Sequence, residues 1–366
     1  MKRTAFALFV IICVYSCSQK KNIPDVSNIK VQIDVKRFDK DFFALDTNNV
    51  EASLNKLQQQ YPTFLNDYLY NILGIEPMPD SVTKKVKRFI YDYKPVYESV
   101  QSTFAATEKT QKEIAKGCQF VKYYFPEYKL PQHIVTFVGP VEGYANVLTN
   151  EGLAVGLQLY LGSDYSLYQT GFVREVYAEY QSRRFEQEYI PVNCMKNILD
   201  EIYPAANPDQ PLVYQMIEAG KRLYMLDQFL PETADSLKTG YTQAQLDGCY
   251  ENEATIWNFF LQNNLLYITD PSQTRDYLTD GPRTELLGEG SPGFIGQFVG
   301  WQIVKKWMSE DSKRTLPQLL KTPAKEIFED AQQYVADKKI LLSDEYLTLT
   351  NRGKLFADGI AATLFR

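Results

Sequence analysis

The chain has 366 residues, of which 45% are hydrophobic and 23% charged; this is the composition of an ordinary globular protein, neither disordered nor fibrous, with room for one large domain or two. A net charge of −6 and a pI near 5.2 argue against nucleic acid as a partner, since duplex binding requires a basic face. The 26 Tyr and 21 Phe suit either a wet binding surface or a tyrosine-rich helical core.

Lys2 and Arg3 precede an apolar run from Ala5 to Val14. The run is shorter than the roughly 20 residues of a transmembrane helix, so residues 1–16 read as a secretory signal peptide. It ends in Val14-Tyr15-Ser16-Cys17, which resembles the bacterial lipobox and implies cleavage before Cys17 and acylation, palmitate included, of its thiol. Several acyl chains on one residue anchor stably, each buried CH₂ contributing about 0.8 kcal/mol. No later segment is long and apolar enough to span a bilayer. Residues 17–30 form a polar tether with Lys20 and Lys21 but no acidic run. Acidic residues there would resemble the surface-export signal of Bacteroidota lipoproteins, and their absence favours a domain facing the periplasm.

Lys30 to Val35 alternates and predicts a short strand. Leu54, Leu57, Tyr61, Leu65, Tyr68, Leu69 and Ile72 recur at helical spacing, with Pro62 a break or a helix start. Asp80 to Tyr124 is mostly helical, with Ser81 a candidate N-cap and Pro95 a kink. His133 to Val138 is a β-branched run. Tyr144 to Thr149 and Leu153 to Leu161 flank the turn signal Asn150-Glu151-Gly152 and predict a hairpin. Leu153, Val155, Leu157 and Leu159 share one face, and Ala154 and Gly156 leave the other bare for close packing. A helix is predicted over Phe172 to Phe185, and others follow Pro191 and Pro211. The capping pair Thr242 and Gln245 opens a helix to about Leu261, Pro292 to Met308 forms another, and Thr322-Pro323 starts the next. The expected fold class is mainly α with a small antiparallel β-sheet (α+β), over a globular domain at 31–337. Residues 338–366 read as a C-terminal strand–helix extension.

The lone histidine, His133, lies in an apolar strand and reads as structural; no HExxH, G-x-S-x-G or Walker A pattern occurs. Gly293, Gly296 and Gly300 suit close packing against a neighbouring helix. Cys118, Cys194 and Cys249 form neither a disulfide framework nor a CxxC pattern, leaving one disulfide plus a free thiol or three buried thiols. Glu175 and Glu179, four apart, would share a helix face near Arg174, Arg183 and Arg184. They are a solvated ion-pairing face, the commoner case, or paired carboxylates for acid–base work on a glycan. Arg183, Arg184, Phe185, Glu186 and Tyr189 form a candidate partner-binding surface, Arg and aromatics being enriched in hot spots. The alternative is an intramolecular ion-pair cluster fixing the loop before Pro191.

Several strings resemble the gliding-motility lipoprotein family GldB of Bacteroidota. They are the runs Val35 to Phe43 (VKRFDKDFF), Gly156 to Tyr165 (GLQLYLGSDY), Arg183 to Pro191 (RRFEQEYIP), Glu251 to Trp257 (ENEATIW) and Ser291 to Val304 (SPGFIGQFVGWQIV). The resemblance implies a lipoprotein needed for gliding or for the type IX secretion machinery, acting through protein contacts with other gliding or secretion proteins. It carries no catalytic residue, metal or cofactor. The family is distantly similar to HExxH zinc peptidases, which implies a degenerate zincin-like fold; the two ligand positions would hold Arg174 and Ala178, so the metal chemistry would be lost. From about Lys338 the tail resembles the C-terminal end of HemW-type radical-SAM haem chaperones, without their cysteine triad. Two other function classes stand beside this reading: an envelope hydrolase acting on peptidoglycan through Glu175 and Glu179, and an outward-facing glycan-binding lipoprotein.

Overall fold

A computed structural model of the chain describes residues 23–205 and 208–338, with strand residues 340–343 and 346–349. The signal peptide, Cys17, the first part of the tether and the helix expected to end the chain lie outside the described residues.

The sheet is assembled from distant segments. Strands β1 (Asp34–Lys36), β2 (His133–Phe137), β3 (Asn146–Thr149) and β4 (Gly152–Gly156) lie in the order β1-β2-β4-β3. The predicted hairpin forms between β3 and β4, with Thr149 opposite Gly152, but its second strand ends at Gly156, and Leu157 and Leu159, expected on that strand, lie in a 3-10 turn. The α+β class holds, but the sheet expected to be antiparallel is mixed: β1 pairs with β2, and β2 with β4, in parallel. Alternation along a strand fixes which side chains share a face but not the direction of a partner far along the chain. β1 starts at Asp34 rather than Lys30, because only there does the chain meet β2; the Asp34 N–H donates to the Gln132 carbonyl at 3.1 Å.

Helices cover both faces. Val135, Phe137 and Ala154 face one layer, and Ile134, Leu153 and Val155 the other, as the period of two requires. The first layer holds α1 (Phe38–Phe43), α2 (Val50–Gln60), α3 (Phe64–Asn66), which runs on as a π-helical turn Asp67–Ile72, and α4 (Pro79–Asp92). The predicted stripe of Leu57, Tyr61, Leu65, Tyr68, Leu69 and Ile72 is buried here, with the break at Pro62. Its centre is Phe38, whose ring lies 4.7–5.0 Å, edge to face, from Tyr61, Phe64 and Tyr68. Next to it the buried Asp39 carboxylate accepts from Arg37 Nε at 2.9 Å and Nη2 at 2.7 Å, from Gln101 Nε2 at 2.8 Å, and from the Thr136 hydroxyl on β2. The VKRFDKDFF string thus joins the first helix to the sheet.

Helix boundaries in the first half also differ from expectation. Pro79 occupies the first turn of α4, so Met78 and not Ser81 precedes the helix, as proline's preset φ favours. Pro95 lies in the first turn of α5 (Lys94–Thr103) and starts a helix instead of kinking one.

The second layer comprises α5, α6 (Glu108–Tyr124), α9 (Tyr189–Ile202) and the helices that follow: α10 (Leu212–Phe229), α11 (Asp235–Thr239), α12 (Gln243–Glu251), α13 (Glu253–Gln262), α14 (Pro271–Leu278), α15 (Ile295–Glu310), α16 (Leu316–Lys321) and α17 (Ala324–Lys338). The predicted capping pair forms, Gln245 N–H donating to Thr242 Oγ1 at 3.1 Å and Thr242 N–H to Gln245 Oε1 at 3.0 Å. The helix it opens stops at Glu251, and a new one starts at Glu253. Gly293, Gly296 and Gly300 each meet neighbouring backbone: a Cβ there would lie 2.3 Å from the Gly281 carbonyl oxygen, 2.7 Å from that of Tyr277 and 1.6 Å from that of Met216. Close packing is their role. Strands β5 (Ile340–Ser343) and β6 (Tyr346–Leu349) form a separate antiparallel pair. No helix among the described residues is long and apolar enough to cross a membrane.

Candidate functional site

The helix predicted over Phe172 to Phe185 is two short helices, α7 (Gly171–Val176) and α8 (Glu179–Ser182). Thr170 caps the first, its hydroxyl accepting from the Val173 N–H. Val173 is buried, while Phe172 and Val176 are 56% and 41% exposed. At Tyr177 the chain turns extended (φ −124°, ψ 116°), and its ring stands edge-on to Phe185 at 5.0 Å. The helix breaks there, and the Tyr177 hydroxyl donates to the Gly143 carbonyl at 3.4 Å. Glu175 and Glu179 are exposed and lie on different helices, so they share no helical face. Arg174 and Ala178, where a zinc-peptidase helix would carry its ligands, also fall on either side of the break.

The RRFEQEY segment joins three parts of the chain. Arg183 Nη2 donates to the Gly240 carbonyl at 2.8 Å and its Nε to Tyr180 O at 3.1 Å. Gly240 is the left-handed residue ending α11 (φ 74°), so a guanidinium meets the negative end of that helix. Burial lowers the pKa of Arg183, but guanidinium stays charged at physiological pH. Arg184 lies over the Cα of the same Gly240 and forms an ion pair with Asp280. Phe185 is 9% exposed, its ring also 5.0 Å from Tyr168. Glu186 Oε1 accepts from the Ser163 N–H at 2.6 Å, and the Phe185 carbonyl from the Gly162 N–H at 3.0 Å. Tyr189 opens α9 half-buried, and burial raises its hydroxyl pKa. The five candidate residues lie together; Arg183, Arg184 and Glu186 are bonded within the chain and Phe185 is core. Those bonds are what an intramolecular cluster predicts.

The GLQLYLGSDY string also builds the frame. Buried Gln158 accepts from the Gly139 N–H at 3.0 Å and holds the loop before β3 through the Tyr144 carbonyl at 3.3 Å. Tyr160 bonds Asn146 on β3 and accepts from Asn193 on α9 at 2.8 Å. His133 is half-buried in β2. Cys118, Cys194 and Cys249 are three buried free thiols, which decides between the two readings of the cysteines. Among the described residues no three His, Cys, Asp or Glu side chains gather as metal ligands.

Two open clefts escaped the sequence reading. One, about 690 Å³, lies between α6 and the segment 229–237 and mixes Lys112 and Lys116 with Glu188 and Glu232. The other, about 610 Å³, follows β3 and is bounded by Asp67, Asn71, Asn197 and Glu201. The i,i+4 pair Asp67 and Asn71 on a helical turn was its one visible trace in the sequence.

Compared with known proteins, residues 19–334 match a family model described as gliding motility protein GldB. No curated protein and no solved structure matches.

Proposed function

The chain belongs to the GldB family of gliding motility proteins, and from that premise we propose that it is a non-catalytic lipoprotein, anchored through acylated Cys17, that supports gliding and type IX secretion by protein contacts on the periplasmic side. The observation that carries this reading is the family match, which spans the framework from before β1 to the body of α17. The split between α7 and α8 supports the non-catalytic part, because Glu175 and Glu179 stand exposed on separate short helices. A general acid among them would need burial to raise its pKa.

The test is affinity purification of tagged full-length protein from crosslinked envelopes, with Cys17→Ala as control. Motility or secretion components that copurify with wild type and are lost with Cys17→Ala are the expected result. Recovery of peptidoglycan or sugar-uptake proteins alone would overturn it. Clearing of peptidoglycan by the wild-type protein, lost in Glu175→Gln, would overturn the non-catalytic part, and digestion by external protease on intact cells would overturn the periplasmic placement.

A further inference from the structure

β3 is the outer strand of the four-stranded sheet, and among the described residues nothing pairs with its far side. The Gly156 N–H donates to the Ala145 carbonyl at 2.6 Å, and Val147 and Thr149 stand opposite Ala154 and Gly152 in the same register. The alternation of an antiparallel ladder therefore turns the N–H and C=O of Asn146 and Leu148 away from β4. Leu148 lines the cleft of about 610 Å³, and Asn146 lies two residues before it on the same strand edge. The floor of the cleft is β3. One wall is the π-helical turn with Asp67 and Asn71; the other is α9 with Asn197, Asp200 and Glu201. The exposed Tyr144 precedes the strand.

An exposed strand edge is a template for another strand, and the chemistry of the walls selects which. The lining contains three carboxylates and no Lys or Arg. Asp200 is neutralised by Arg222. Asp67 accepts from Asn71 and Glu201 from the Tyr128 hydroxyl, bonds that orient a carboxylate without cancelling its charge. A third feature is Asn197 Oδ1, a buried acceptor with no donor among the described residues, a group that normally finds a partner.

We propose that β3 is a docking strand, to which an extended segment of a partner protein adds as a further strand with two adjacent basic residues, one against each wall. Successive side chains of a strand point to opposite faces, so a Lys-Lys or Arg-Lys pair puts one cation toward Asp67 and the next toward Glu201. Backbone bonds to Asn146 and Leu148 supply the pairing, and the dibasic step supplies the selection. This rests on the reading that the protein works through protein contacts.

The test uses full-length lipidated protein in detergent and a fluorescent peptide, Thr-Val-Lys-Lys-Val-Thr, read by anisotropy. Saturable binding is expected, weakened about tenfold by Asp67→Asn with Glu201→Gln, the scale of two partly exposed ion pairs. The Glu-Glu peptide, and a version N-methylated at every residue so that neither edge can pair, should not bind. Equal binding of either, or none of the Lys-Lys peptide, overturns the proposal; unchanged thermal melting of the double variant excludes misfolding. Crosslinked purification with the same double variant separates the two readings. If motility components still copurify while the peptide fails, only the docking strand falls; if wild type recovers none, the protein-contact reading falls with it.

Discussion

Gly220 and Gly300 lie against each other where α10 crosses α15, so closely that a Cβ on Gly220 would stand 2.1 Å from the Gly300 carbonyl carbon. Both helices are buried along most of their length at this crossing. No side chain can yield there, because the obstacle is backbone.

Gly300→Ala and Gly220→Ala should each destabilise by about 3 kcal/mol, the upper part of the range for overpacked cores. Gly248→Ala is the control, since it lies inside α12 with open space around its Cα; it should stabilise by about 0.5–1 kcal/mol through helix propensity alone. Urea denaturation of the three variants checks both signs.

Arg183→Ala should cost about 2 kcal/mol, since it removes a charged donor from half-buried carbonyls. Arg184→Ala should cost less than about 1 kcal/mol, because its pair with Asp280 is partly exposed. The double variant should melt lower and lose function through stability. If function vanished with the melting temperature unchanged, the segment would have to be a partner surface after all.

Glu151 gives the protein an acid-sensitive joint. Burial pushes its pKa up, but bonds from Lys36, Thr63 and Phe64 outweigh this and hold it below the ordinary 4.5. Lys36 Nζ lies at 2.6 Å and the Thr63 hydroxyl at 2.9 Å. A lowered folded pKa contributes stability that is complete above 4.5 and is lost as the pH falls toward the lowered value. Glu151→Gln should therefore be less stable than wild type at neutral pH, the two converging in acid. Urea midpoints across that range decide it.

The three thiols should resist an aromatic disulfide reagent in the native state. Burial pushes Cys194 and Cys249 up to about 12 and Cys118 higher, leaving almost no thiolate at neutral pH. On partial unfolding Cys249 should label first, since it borders a cleft of about 450 Å³. Mass spectrometry of the labelled peptides gives the order, and rapid native labelling of Cys118 or Cys194 would contradict it.

What could be read from the sequence was local. The stripe from Leu57 to Ile72, the turn at Asn150-Glu151, the Thr242 capping pair and the small residues of the Ser291–Val304 string each announce themselves within a few positions. The break at Tyr177 does not, because Val173 and Tyr177 keep helical spacing, while the contacts Tyr177 makes outside the helix, with the Phe185 ring and the Gly143 carbonyl, come from other segments. The partner of Arg184 lies 96 positions away, so residue type named a cationic cluster but could not choose between an outside partner and Asp280. The cleft along β3 was hidden for the same reason: its walls come from segments that meet only in the folded chain.

The parallel pairing of β1 with β2 also bears on how the chain reaches this state. Asp34 must find His133, and β2 must find β4, so the sheet cannot close until residue 156 is free to join it. Closing so wide a loop costs entropy before any ladder bond repays it, and non-local pairing of this kind folds slowly. The sheet is therefore completed only once most of the first half of the chain is available to it.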